Sequence, residues 1–191
     1  MTGRTHDLAA FTALNIIVIT NPLPEISLAT ALVSVGACFI GGLTPDIDTA
    51  TSDFWDKIPA GSILGKLLHP FLGGHRMISH SILGIIIIGF ITNYLFNLAG
   101  QVLLVNMELV WMAFMIGVIS HIIMDSFTEE GVPLLFPIPF KFGIPPIKQL
   151  RIHTGGLMEK MIVFPGLLLL NGYLFYKFYP IYLEFFHQFI K

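Results

Sequence analysis

Long apolar runs constrain this chain more than any motif does. A bilayer core of about 30 Å takes roughly 20 apolar residues per helix, and five segments approach that description. The first, "LAAFTALNIIVIT" (8–20), is short for a span and is stopped by "NPLPE". The second covers 26–43, and the third, 81–98 with "SILGIIIIGFITNYLFNL", is the strongest. The fourth covers 109–124 and the fifth 161–179. Residues are 54% hydrophobic and only 12% charged, against about 25% charged in soluble domains. The expectation is an all-α, polytopic transmembrane helical bundle of about five helices, forming one domain over 1–191.

Composition also excludes some classes. A net charge of −2 gives no reason to expect nucleic acid as a partner. The single cysteine, Cys38, excludes a disulfide framework within the chain and a multi-cysteine zinc site. The start, "MTGRTHDLAAF", lacks a sustained apolar core followed by a small-residue cleavage site, so it does not read as a cleaved signal peptide.

If all five segments span, the N-terminus and the loops 44–80 and 125–160 share one side. That side holds Arg4, Lys57, Lys66, Arg76, Lys141, Lys148, Arg151 and Lys160, and the other holds Lys177 and Lys191. The positive-inside rule makes the cation-rich side cytoplasmic. The 125–160 loop contains "VPLLFPIPFKFGIPP", whose prolines exclude a helix.

The same side collects the ionisable groups. His6 lies at the start of segment one, and Asp46 and Asp48 of "TPDID" follow segment two. His75 and His80 of "HRMISHS" lead into segment three. His121 and Asp125 close segment four at i and i+4, on one helical face. His153 and Glu159 precede segment five. Ionisable groups near a membrane segment are costly and call for partners. Imidazole and carboxylate without thiolate suit zinc, manganese or iron. The donors exceed the needs of one four-coordinate ion, so two or three divalent ions per chain are expected, zinc first. The metal ligands expected are His6, Asp46, Asp48, His75, His80, His121, Asp125 and Glu159. Asp48, Arg76 and Glu159 are the expected catalytic residues, with Arg76 placed to hold an anionic phosphate. Arg151 is a second candidate for that task.

Each piece alone has a plainer explanation. His121 and Asp125 could be an intrahelical polar pair. "PDID" could cap the next segment, His6 could be interfacial, and Glu159 could complement a helix dipole. His69 and His187 read as residues without a site role. Convergence on one side is what favours a metal site.

Taken together, "TH" near the N-terminus, "GGLTPDID", "HRMISHS" and "SHIIMDSFTEEGVPLLFP" resemble the YdjM-like inner-membrane metal-dependent hydrolases. That family alternates L-P-D-x-D, H-R-x-x-T-H-S and S-H-x-x-x-D with hydrophobic helices. This chain departs from the pattern at Thr44 and Ser79. The resemblance implies an inner-membrane location and a metal site. More distantly, H-x-x-x-D is similar to that of the zinc-dependent phospholipase C and single-strand nuclease superfamily. That similarity implies phosphoester cleavage. The interval from His153 to Glu159 is longer than the H-x-x-x-E of that superfamily, which leaves His153 without a counterpart.

The function expected is a membrane-embedded, metal-dependent hydrolase, cleaving a phosphoester of a lipid or lipid-linked substrate at the cytoplasmic interface. Membrane lipid and a phosphate-bearing substrate are the partners expected. The alternative is a non-catalytic membrane protein or metal transporter with a structural or transport site. Transporters place ion ligands near the midplane, whereas these gather at one end. The chain lacks the P-S-G-H stretch of metal-free type 2 phosphatidic acid phosphatases and the H-E-x-x-H of intramembrane zinc proteases.

Overall fold

The computed structural model describes residues 1–21, 26–49, 52, 55, 63, 65, 78–138 and 140–187. His75 and Arg76, both expected at the site, lie outside them, as do Lys57, Lys66 and His69. The described residues form α1 (Gly3–Thr20), α2 (Leu28–Leu43), α3 (Ile82–Gly100), α4 (Met107–Ser126), α5 (Phe164–Lys177) and α6 (Tyr179–His187). A 3-10 turn, Thr44–Asp48, extends α2, and a π-helical turn, Glu159–Val163, leads into α5. Among the described residues there is no strand beyond two isolated bridges.

Helix starts follow local chemistry. Ser27, Ser81 and Asn106 each cap a helix, accepting from the backbone N–H of Thr30, of Gly84, and of Glu108 and Leu109 respectively. Three helical stretches are long and apolar enough to cross a membrane: Leu28–Asp48, Ile82–Gly100 and Met107–Ser126. Glu159–Lys177 and Tyr179–His187 pass together as one broken span bent by 71°. The described residues therefore hold three to four candidate spans, where the sequence suggests about five. α1 makes the difference, because its first turns carry Arg4, His6 and Asp7. Its buried face includes Thr5, His6, Thr12 and Asn15, all polar.

Burial separates the helices. α2 and α4 are the central pair, each 44% buried over its most apolar window, whereas α3 is 11% buried and turns Ile86, Phe90 and Ile91 outward. Glycine sets the central contact. A Cβ on Gly117 of α4 would collide with the Cys38 carbonyl, and one on Gly41 of α2 would collide with the Phe114 carbonyl. The two backbones therefore touch, as small residues permit between membrane helices. Cys38 packs with Ala10 and Ala113 where α1 joins this pair. A buried polar network ties α1 to α5: Asn15 Nδ2 donates to Asn171 Oδ1 at 2.9 Å, and Asn171 Nδ2 donates to Thr12 Oγ1 at 2.7 Å.

Candidate metal centre

Alternating chain direction brings the start of α1, the end of α2, the start of α3 and the end of α4 to one end of the bundle. The contacts of His6, Asp46, His80, His121 and Asp125 described here tie those ends together. Asp46 comes from the 3-10 turn after α2, where Pro45 occupies an early helical position that needs no N–H donor. His80 precedes the Ser81 cap of α3, and His121 and Asp125 fall on the inner face of α4.

Four donors converge. Asp46, His80, His121 and Asp125 each offer an atom within 4.8 Å of the others. His80 Nε2 lies 3.3 Å from His121 Nε2. Asp46 Oδ1 is 3.6 Å from both nitrogens, and Asp125 Oδ2 is 3.6 and 3.5 Å from them. Ligand bonds of about 2.0–2.1 Å in a tetrahedron give edges of about 3.4 Å, close to these separations. The set fits one divalent cation.

The imidazole tautomers support that fit. His121 Nδ1 lies 2.6 Å from the Gly42 carbonyl, an acceptor that must receive a proton from the ring. Asp48 Oδ2 lies 3.4 Å from His80 Nδ1 and accepts from Ser79 Oγ at 2.5 Å. Both rings then have Nδ1 engaged outward, so in the neutral form both Nε2 lone pairs face the same point. Two acceptors 3.3 Å apart repel unless a proton or cation lies between them. Carboxylate or carbonyl support of the distal nitrogen is the usual second layer of a histidine metal site. Burial alone would lower the pKa of His80, but Asp125, Asp46 and Asp48 outweigh it and raise the value to about 10. The three carboxylates therefore favour positive charge at the His80 ring.

His6 adjoins the set without being one of its four donors. Its ring stacks on His121 with centroids 3.7 Å apart and 8° between planes. Its Nε2 is 3.2 Å from Asp125 Oδ1, outside hydrogen-bond alignment. Neither ring nitrogen has a hydrogen-bond partner among the described residues, although the side chain is only 1% exposed. An orphaned buried imidazole is costly, and a cation would satisfy it. The α-ammonium of Met1 already lies 2.6 Å from Asp125 Oδ1, so that oxygen accepts a positive partner.

The other expected residues fall elsewhere. Asp48 is fully buried behind His80, on the Nδ1 side rather than with the converging Nε2 atoms. Glu159 is buried and accepts from Thr2 N, Thr2 Oγ1 and Thr5 Oγ1 through Oε1, and from Gly155 N through Oε2. Thr2 makes no side-chain cap of its own, so Glu159 caps α1 from across the bundle. Gly155 holds φ +73°, a left-handed conformation that suits glycine and belongs to the turn whose N–H reaches that carboxylate. His153 is 74% exposed and pairs with Glu129 at 3.1 Å. Arg151 donates to the carbonyls of Pro145, Gly143 and Pro146, so it clamps the proline-rich loop instead of facing the donor set. Sequence reasoning missed Ser79, Thr2, Thr5 and the Gly42 carbonyl. Of these, Ser79 stands beside His80 in "HRMISHS", Thr5 beside His6 in "TH" and Gly42 in "GGLTPDID", whereas Thr2 left no trace.

The sequence model of the YdjM inner membrane protein family matches residues 1–183. The chain is also 30% identical over 176 residues to the uncharacterized protein YvsG of Bacillus subtilis (strain 168), covering 92% of this chain and 95% of that protein. No solved structure matches.

Proposed function

This chain belongs to the YdjM inner membrane protein family, and on that premise we propose that it is a membrane-embedded, metal-dependent hydrolase. Its substrate is a phosphoester of a lipid or lipid-linked molecule, cleaved at the cytoplasmic interface. The observation that carries the reading is the four-donor set of Asp46, His80, His121 and Asp125 at the ends of apolar spans. Three of the donors are buried, whereas Asp46 is 21% exposed and gives the set a side open to solvent. A closed structural site would lack that opening.

Zinc is the ion best suited to two imidazoles and two carboxylates, with manganese or iron next. When bound, the metal supplies Lewis acidity toward a phosphoryl oxygen and activates water for attack. The four donors account for one ion. Asp125 would be the carboxylate able to serve a second, because its Oδ2 faces the histidine pair and its Oδ1 lies 3.2 Å from His6 Nε2, provided the ion displaced the Met1 amine now 2.6 Å from that oxygen.

The chain's own residues do the rest. Ser79 Oγ, 3.0 Å from His80 Nδ1 and itself donating to Asp48, holds the proton on that nitrogen with the Asp48 carboxylate behind it, and the Gly42 carbonyl holds that on His121 Nδ1, keeping both Nε2 atoms basic. Glu159 fixes the start of α1 and so positions His6. Arg76 is proposed to hold the substrate phosphate.

Elemental analysis of the purified protein tests the metal, and phosphate release from a phospholipid panel tests the reaction. At least one equivalent of zinc, manganese or iron is expected in the wild type, with metal and hydrolysis both lost in the Asp46→Ala, His121→Ala double variant. Absence of bound metal under metal-replete conditions would sink the metal centre. Bound metal without hydrolysis of any phosphoester would return the site to a transport or structural role.

A further inference from the structure

The segment after α4 combines features that neither a water-facing loop nor a packed core explains. Residues 131–158 contain no aspartate or glutamate, but they carry Lys141, Lys148 and Arg151. Within them Leu135, Ile138, Phe140, Ile147 and Leu150 are each more than half exposed. These side chains point outward from a backbone that is held in place. Ile144 N–H donates to the Ser126 carbonyl at 2.8 Å, and Ile82 N–H donates to the Leu134 carbonyl at 3.0 Å. Val132 and Phe142 exchange both backbone hydrogen bonds, and Arg151 binds three loop carbonyls. Internal satisfaction of backbone groups is what an irregular segment needs to leave bulk water.

Its anchor points give its depth. Ser126 ends α4 and Ile82 begins α3, so the loop lies where two candidate spans end, beside Asp125. A segment there with outward aromatic and aliphatic groups and flanking lysines has the composition of a membrane-interface element. Lysines near a membrane surface favour anionic lipids. Charge also argues against a second copy as the occupant, since two acid-free cationic loops would meet like charge with like.

We propose that residues 132–150 form an interfacial loop that seats its apolar side chains in the leaflet at the metal-site end and gathers anionic phospholipid headgroups through Lys141 and Lys148. This inference stands apart from hydrolysis, because its test reads neither metal nor turnover.

The full chain would be reconstituted in nanodiscs of phosphatidylcholine with or without phosphatidylglycerol. An environment-sensitive dye would be placed at Ile138→Cys or Leu135→Cys, each in a Cys38→Ala background. Blue-shifted emission and severalfold protection from aqueous iodide are expected at both positions. Spin-labelled phosphatidylglycerol should associate in preference to spin-labelled phosphatidylcholine. The Lys141→Gln, Lys148→Gln variant should lose about fivefold of that preference per lysine. Iodide access equal to that of free dye at both positions would overturn the proposal, as would equal association of the two lipids with the wild type. Efficient crosslinking of two chains through Ile138→Cys would assign the face to a second copy and overturn it as well.

Discussion

Asp48 and Asp46 are two residues apart and chemically identical, yet they do different work. Asp46 presents Oδ1 to the two Nε2 atoms, whereas Asp48 lies against Nδ1 of His80. Asp48→Asn should therefore retain the four donors but weaken the hold on the His80 tautomer, lowering metal affinity by about 10–100-fold. Metal titration against a competing chelator reads this directly, and unchanged affinity would contradict the positioning role. Glu159 gives a separate test. Replacing it with alanine strands the donors of Thr2, Thr5 and Gly155. A loss of about 1–3 kcal/mol in stability is expected, measured by unfolding in detergent, with the metal of the four-donor set retained. Loss of that metal would instead make Glu159 a ligand. The identities of His80, His121, Asp46 and Asp125 as site candidates were legible from motif spacing and shared membrane side. The division between direct donors and supporting groups was not, because spacing along a chain does not reveal which atom of a side chain faces inward.

Between elements, the decisive contact is α2 against α4. Gly41 and Gly117 let the backbones meet, and this approach brings the Gly42 carbonyl to 2.6 Å from His121 Nδ1. A methyl group at Gly117 would have to displace backbone atoms of Cys38 and Gly42. Gly117→Ala is expected to cost about 1–3 kcal/mol through overpacking, and to reduce bound metal by shifting His121 relative to Asp46. Unfolding curves and metal content of the same preparation check both effects. Gly36, by contrast, has nothing within 4 Å of an added Cβ, so Gly36→Ala should leave both unchanged. Hydropathy identifies α2 and α4 as membrane helices, but it does not say that they, and not α3, form the centre.

For the whole molecule, orientation is the property to settle. The site end carries the start of α5 and the proline-rich loop, and the connection between α3 and α4 lies at the opposite end. Leu157 is 80% exposed at the first end and Leu104 is 98% exposed at the second. With the site facing the cytoplasm, a membrane-impermeant maleimide added to intact cells should modify Leu104→Cys and spare Leu157→Cys. The reverse pattern would place the site on the outer face. Buried Cys38 supplies the background control.

The amino-acid sequence alone determined that the chain is helical and membrane-bound, and that histidine and aspartate gather at one end of the bundle. Both follow from hydropathy and from counting crossings, which are properties of order along the chain. Tertiary structure decided that α1 buries its polar residues Thr5, His6, Thr12 and Asn15. It also decided that Asp125 touches three histidines, that Asp48 supports His80, and that Glu159 and Arg151 serve α1 and the loop. Those outcomes depend on how closely helices approach and how each is rotated. Side-chain volumes on facing helices fix both, and no local stretch of sequence contains both faces.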